Sequence, residues 1–407
     1  MGIGRSAEVG SWPERVAVIG GGRWARQLTQ VLCDLTPPTV QISVHSRHNA
    51  ESLSVWVRSR GLEERVEVSF GWPRLLGARS TAVIVANAAR DHESAAVAAL
   101  SECVPVLVEK PIAPTAAASH RLVDLARSRN TRFAAAHVFL FARYLESFAR
   151  LVSETGGIRS LRIRWMDPSN DSRYGEKKRF DPGLPIFADW LPHVLSITNA
   201  LTPALPQRCE RLKFLRGGAH LELELVLGST PCSVELVRNG DRRQRVVEVV
   251  TLEKTLLLDF SREPGTIICG SQTSNGDPDW GRALGPAALM LLAFLRWAAG
   301  GDFDSRLDIE RGLRASEVID QAASMYKAAL VPWLAAELAS LEGDENDLRY
   351  ALTELLQSES LLPETAIEEQ IKRVRQEFSK TSDAQWLKAL VEAQNPLERL
   401  RSLTITG

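Results

Sequence analysis

The chain reads as an α/β protein: a doubly wound parallel Rossmann sheet, then an α+β domain with a mostly antiparallel sheet, then a C-terminal helical extension. Three observations predict this. Short apolar strands alternate with helices from residue 13 to about 136, the rhythm of a parallel sheet covered by helices on both faces. The first strand closes on a glycine-rich turn, Gly20-Gly-Gly-Arg-Trp-Ala25. After Gly156-Gly157 the strands follow one another at hairpin-length gaps, and after Leu330 the composition shifts to Leu, Ala, Glu and Gln.

A length of 407 residues is too great for one core. The boundaries read as 13–137, 138–330, whose last helix is expected to pack back on the first domain, and 331–407. In the first domain, strands are predicted at 15–19, 40–45, 66–70, 81–86, 104–108 and 132–136, with helices at 24–35, 50–60, 92–102 and 115–129. In the second, strands are predicted at 160–166, 210–215, 221–227, 233–237 and 245–251. Leu221, Leu223, Leu225 and Leu227 alternate with Glu222, Glu224 and Val226, the period of a sheet with one buried face. Helical patterns return from Ala287, with one clear helix over 307–330. In the extension, Trp333, Leu334, Leu338, Leu341, Leu348, Leu352, Leu355 and Leu356 have helical spacing, and Pro363 and Pro396 suit the first turns of later helices.

Composition excludes several classes. The net charge is −1 with no basic block, so nucleic acid is not an expected partner. No apolar run reaches the roughly 18 residues of a membrane span; the candidate at 287–299 is short and carries Arg296. The N-terminus lacks a hydrophobic signal core. Cys33, Cys103, Cys209, Cys232 and Cys269 have no paired spacing, which argues against disulfides or a metal site and for a reducing, cytoplasmic setting.

The chemistry sits at strand ends. Gly20, Gly22 and Ala25 occupy G-x-G-x-x-A positions, with Arg23 and Trp24 between. Here the first glycine permits the turn, the second lets backbone approach a pyrophosphate, and the small third residue allows close helix–strand packing. The second strand ends His45-Ser46-Arg47 with no acid for a ribose hydroxyl. The Ser46 hydroxyl and Arg47 guanidinium suit a 2′-phosphate, which favours NADP over NAD; otherwise Arg47 is a surface charge. Another apolar strand, Val104-Pro-Val-Leu-Val108, ends in Glu109-Lys110-Pro111. That puts an ammonium group beside the cofactor crevice, where partial desolvation can bring a lysine into proton exchange near neutrality. Asp189 and His193 are spaced to share one helix face. Pro192 between them fits if the helix begins near Asp189, which is then either an N-cap or a partner of the histidine.

Taken in order, Val16-Ala-Val-Ile-Gly-Gly-Gly-Arg-Trp-Ala25, Ala82-Val-Ile-Val-Ala-Asn-Ala-Ala-Arg-Asp-His92, Val106-Leu-Val-Glu-Lys-Pro-Ile112, Ala136-His-Val-Phe-Leu-Phe141 and Asp189-Trp-Leu-Pro-His193 resemble the glucose–fructose oxidoreductase, inositol dehydrogenase and MocA (Gfo/Idh/MocA) family. The resemblance is good to about Ala136, weaker to Leu330 and absent beyond. It implies an NAD(P)-dependent oxidoreductase moving a hydride to or from a hydroxyl or carbonyl carbon of a sugar, nucleotide sugar, cyclitol or related molecule. It implies that Lys110 bonds the reacting oxygen and the nicotinamide ribose, that His193 is the acid–base group, and that Asp189 orients it. The resemblance also implies that the loop of Ala86, Asn87 and His92 passes over the cofactor, where His92 either touches it or caps its own helix. Trp24 covers the cofactor or packs in the core; Glu109 stands at the same crevice; His137 lies near the nicotinamide or is a buried structural residue. Two departures put the substrate in doubt: Ser196 where relatives often have a second acid, and Leu191 where they have glycine. The charged segment 167–181, with Arg173, Tyr174 and Lys177, either overhangs the substrate or is a solvated loop. Imine reduction is a variant on the same fold, and a cofactor-sensing scaffold is the alternative class. An open sheet face predicts a homodimer or higher homo-oligomer, with the C-terminal helices on a neighbouring subunit or a partner protein.

Overall fold

The structure is a computed structural model, and it describes residues 12–72, 81–173, 176–177, 180–203, 206–340, 344–358 and 361–402. The chain divides into two compact units. One comprises the residues up to Ala142 with Asp279–Ser316; the other comprises Arg143–Pro278 and the residues from Glu317 onward.

The first unit begins with β1 (Arg15–Ile19), α1 (Arg23–Leu35), β2 (Gln41–Ser46), α2 (Ala50–Ser59) and β3 (Val66–Phe70). It continues with β4 (Thr81–Val85), α3 (His92–Ser101), β5 (Val106–Val108), α4 (Ala116–Ser128) and β6 (Phe133–Ala135). The six strands form one parallel sheet in the order β3-β2-β1-β4-β5-β6. Strand alternation supplies two cores. Val16, Val18, Ile42, Val44, Ala82 and Ile84 face a cluster with Leu28, Leu32, Leu53 and Val57. Ala17, Ile19, Val83, Val85, Val106 and Val108 face Ala95, Ala96, Leu100, Leu122 and Val123. The chain leaves β1 toward one edge and returns at β4 toward the other, so the switch point lies between β1 and β4. Register makes the carboxyl ends flush, with Ile19 beside Val85, Val85 beside Val108, and Val108 beside Ala135. Gly20, Ala86, Glu109 and Ala136 therefore stand in one row.

The second unit opens with α5 (Arg143–Ser153), β7 (Ile158–Pro168) and a short hairpin of β8 (Ser172–Arg173) and β9 (Glu176–Lys177). Then come α6 (Ile186–Leu201), β10 (Gln207–Leu215), β11 (His220–Leu227), β12 (Thr230–Gly240), β13 (Gln244–Thr251), β14 (Thr255–Asp259), β15 (Thr266–Cys269) and β16 (Gln272–Asn275). Eight strands make a sheet in the order β10-β11-β12-β7-β13-β14-β15-β16, antiparallel except for β12 with β7. Its last three strands carry no strong alternation and escape sequence reading. The leucines of β11 are buried, while Glu222 and Glu224 are exposed on the other face. That outer face is laced with ion pairs, Arg164–Glu235 and Lys213–Glu222 among them.

The chain then adds α7 (Pro286–Ala298) to the first unit, where it packs on α1. α8 (Ile309–Ala339) begins in the first unit and ends in the second. Leu330, where the sequence pattern predicts a domain boundary, lies inside this continuous helix, which even accommodates Pro332. α9 (Glu345–Leu356), α10 (Glu364–Thr381), α11 (Ala384–Glu392) and α12 (Pro396–Ser402) follow. Pro363 is the N-cap of α10 and Pro396 opens α12. Leu348, Leu352, Ile367, Ile371, Val374, Phe378, Leu387 and Leu390 are buried, so these helices have a core and lie in the same unit as the antiparallel sheet.

Candidate functional site

The glycine turn opens α1 with a residue that has no side chain to cap it. α4, α9 and α11 have side-chain N-caps in Thr115, Asp344 and Asp383. The N-cap of α1 is Gly22, and its first turn carries no acid. Gly20 has φ +144°, and a Cβ there would lie 2.4 Å from the Ala86 carbonyl oxygen. Turn and loop thus touch backbone to backbone, which only glycine allows. A Cβ at Gly22 would meet nothing. The open face at Gly22 and the positive helix end behind it fit a pyrophosphate.

Around this turn the neighbouring strand ends are cross-linked. Trp24 reaches across to Glu109 and its indole Nε1 donates to Oε1 at 2.6 Å. Glu109 is buried, and burial raises its carboxyl above the ordinary range, with Trp24 and Lys110 opposing the rise. The Lys110 amide lies 3.3 Å from Glu109 Oε2, and the Lys110–Pro111 bond is cis. His92 is buried with both ring nitrogens on backbone oxygens, Nδ1 with Pro111 at 2.6 Å and Nε2 with Asn87 at 3.3 Å. It ties the β4 loop to the lysine loop, and burial lowers its pKa. Asn87 donates to the Asp91 carbonyl at 3.4 Å, while its Oδ1 is buried with no partner among the described residues. An orphaned acceptor beside the glycine turn suits a ligand hydroxyl.

At the end of β2, Ser46 is buried and its Oγ accepts the Asn49 amide at 3.0 Å. Arg47 is exposed and its guanidinium carbon sits 3.8 Å from the centre of the Trp72 ring. That stacking holds the positive charge at the strand end; no pattern along the chain marks Trp72 as its support. His137 is buried, with Nε2 lacking a partner among the described residues. Burial, assisted by Arg311, pulls its pKa down to about 4, so the ring is neutral at pH 7.

In the second unit, α6 carries the acid and the histidine. The helix starts at Ile186, three residues earlier than Pro192 suggested, so Asp189 is in the first turn and not the N-cap. Proline removes one amide from the ladder, which the helix tolerates at its second turn. His193 stacks on Trp165, centroids 5.5 Å apart and planes 9° apart. Trp165 is itself covered by Arg245, whose guanidinium carbon is 4.2 Å from the ring and whose Nη2 donates to both oxygens of buried Asp167 at 3.0 Å. Asp189 Oδ2 accepts from Arg238 Nη2 at 3.0 Å, and Arg238 is buried. Ser196 donates to the His193 carbonyl at 2.7 Å, a backbone role open to a hydroxyl but not to an ionised acid. Trp165, Arg238, Arg245 and Asp167 were not singled out from sequence, because strand residues announce burial but not which helix they face. Tyr174 lies outside the described residues, as do the side chains of Arg173 and Lys177.

A doubly wound sheet with a glycine turn at its switch point, followed by an α+β unit, is an architecture that many dinucleotide-binding α/β proteins share. Residues 14–137 match the Gfo/Idh/MocA family model, described as an oxidoreductase family with an NAD-binding Rossmann fold. The resemblance read from the motifs stands, with the extra C-terminal helices in place. Among solved structures, UDP-N-acetylglucosamine 3-dehydrogenase GnnA from Acidithiobacillus ferrooxidans is 20% identical with a TM-score of 0.63, covering 78% of this chain and 98% of its own. KijD10, a 3-ketoreductase from Actinomadura kijaniata in complex with NADP and TDP-benzene, is 18% identical with a TM-score of 0.61, covering 76% of this chain and 96% of its own. These neighbours share the fold and are almost used up by the match, while about a fifth of this chain lies outside it. No curated protein sequence matches the chain. Among the described residues no helix is long and apolar enough to cross a membrane, and no cluster of ligands for a metal ion occurs.

Proposed function

We propose that this protein is an NADP-dependent oxidoreductase acting on a hydroxyl–carbonyl pair of a small, sugar-like molecule, with nucleotide-linked sugars as the first class to test. The observation that carries the reading is the row of strand ends at the switch point, where the open Gly22 turn and Lys110 stand on one carboxyl edge. Ligands of such sheets bind there. The nicotinamide ring, when bound, supplies or accepts the hydride. Gly20, Gly22 and Ala25 with the α1 amides hold the pyrophosphate, and Asn87 Oδ1 takes a ribose hydroxyl. Arg47, stacked on Trp72, meets a 2′-phosphate. Lys110 and His193 are the acid–base groups of the transfer, with the imidazole stacked on Trp165 and Asp189 one turn before it. The neighbours' substrate and ligands, a UDP-sugar and a TDP compound with NADP, support the substrate class.

The test is fluorescence titration with NADPH and NADH, followed by turnover with UDP- and TDP-linked sugars and a panel of carbonyls and imines. Tight NADPH binding with turnover of a nucleotide-linked sugar is the expected result. A folded protein that binds neither dinucleotide overturns the reading. Binding without turnover of any carbonyl or imine favours a cofactor sensor, and turnover of imines alone places it among imine reductases.

A further inference from the structure

Arg238, on β12, is fully buried and needs fixed partners, since an uncompensated buried charge costs several kcal/mol. Its Nη2 donates to Asp189 at 3.0 Å, and its Nη1 donates to the Leu184 carbonyl at 2.9 Å and the Tyr350 hydroxyl at 3.1 Å. Its flat face covers Phe180 at 4.7 Å and Trp190 at 5.6 Å. Four of these five partners belong to α6 or to the segment leading into it. The fifth, Tyr350, comes from α9, in the part of the chain with no family resemblance. One turn on, Glu354 accepts the phenol proton of Tyr326 and adds a second carboxyl near the guanidinium.

A second observation concerns backbone, not charge. α9 is clamped at both ends with no room for a methyl group. A Cβ at Gly217 would lie 2.1 Å from the Asp347 carbonyl oxygen, and a Cβ at Gly183 would lie 2.1 Å from that of Gln357. Gly183 is three residues before α6. The position of α9 and that of the α6 lead-in are therefore set against each other to a fraction of an ångström.

We propose that α9 is a positioning element for the α6 acid–histidine pair: Tyr350 orients Arg238, and Arg238 orients Asp189, which in turn faces the turn carrying His193. The inference rests on the reading of Asp189 and His193 as a functional pair. Apolar residues alone would dock a helix hairpin more cheaply than a guanidinium bridging three elements. Orientation is what the polar chain adds.

The test uses the full chain with labelled histidine, the His193 resonance being assigned from its loss in His193→Gln. Its titration midpoint is followed by NMR in wild type, Asp189→Asn, Tyr350→Phe and Leu348→Ala, with NADPH affinity and melting temperature measured alongside. Asp189→Asn should lower the midpoint by about half a unit or more through loss of a neighbouring negative charge. Tyr350→Phe should lower it in the same direction by a smaller amount, leaving NADPH affinity unchanged. Leu348→Ala, a cavity in α9 away from the polar chain, should lower the melting temperature and leave the midpoint alone. A wild-type midpoint in Tyr350→Phe, with Asp189→Asn shifted, overturns the inference and leaves the pair standing. A wild-type midpoint in Asp189→Asn overturns the pair itself. Should Tyr350→Phe fail to fold, Arg238→Lys, which keeps the charge but loses the forked donor, must give the shift instead, and a wild-type midpoint there overturns the inference equally.

Discussion

Lys110 and His193 were both legible from motif alone, and the roles proposed for them make a sharp prediction. Lys110→Ala and His193→Ala should each lower turnover by about 10²–10⁴ while NADPH affinity stays within a few-fold; wild-type turnover in either removes it from the mechanism. Arg47 was legible too, but its support was not. The guanidinium is held over the Trp72 ring, two residues beyond β3, and nothing in the spacing of 47 and 72 announces that contact. Arg47→Ala should weaken NADPH by about tenfold, near 1.4 kcal/mol, and NADH much less, as read by paired fluorescence titrations. Equal losses would make Arg47 a surface charge. Trp24 and His92 were each left between two roles by the sequence. In the structure Trp24 bonds Glu109, and His92 spends both nitrogens on backbone. Both hold the crevice walls, a duty that depends on atoms 19 to 85 residues away.

At the scale of elements, the glycine turn separates folding from binding within three residues. Gly20 sits at positive φ against the Ala86 carbonyl, whereas Gly22 has φ −75° and open space beyond it. Gly20→Ala should therefore lower the melting temperature or abolish folding. Gly22→Ala should keep the melting temperature within a degree or two, since the fold has room for its methyl, and weaken NADPH by at least about tenfold, because the pyrophosphate needs that room. A Gly22→Ala protein that binds NADPH as wild type does would move the phosphate site elsewhere. α6 shows how local rules mislead. Pro192 signalled a helix start near Asp189, yet the helix begins at Ile186. Burial of Ile186, Phe187, Trp190 and Leu191 rewards the extra turn and outweighs the lost amide.

At the scale of the molecule, the helices after residue 331 belong to the fold of the second unit, in which Gly183, Gly217 and Gly218 leave no space between sheet-side loops and α8–α9. Removing residues 331–407 should expose that core and give aggregation or an altered oligomeric state; a soluble truncation with unchanged particle mass by light scattering would count against it. The same packing creates a pH dependence. Burial pushes the Glu354 carboxyl up to about 7 from an ordinary 4.5, against the pull of Tyr326, Arg238 and Tyr350. A carboxyl whose folded pKa is raised contributes stability fully below its unfolded pKa and loses it as pH rises through the folded one. Glu354→Gln cannot ionise, so its melting temperature should match wild type near pH 4.5 and exceed it above pH 7, where the difference in stability is at most about 3 kcal/mol. Parallel melting curves for the two proteins across that window would refute this. The ion-paired outer face of the antiparallel sheet is the surface on which a two-fold dimer is proposed, and ion pairs suit a face that must be soluble before it pairs.

By itself the sequence determined the parallel sheet, its order of strands and helices, the glycine turn, the lysine at a strand end and the acid–histidine spacing. Each is carried by residues close together in the chain, where periodicity and turn chemistry act directly. It also determined that the C-terminal residues are helical, through the spacing of their leucines. Only the tertiary structure decided what those helices touch. Tyr350 reaches Arg238 across 112 residues and Arg238 reaches Asp189 across 49. A buried charge selects its partners by distance in space, and no pattern along the chain records that choice.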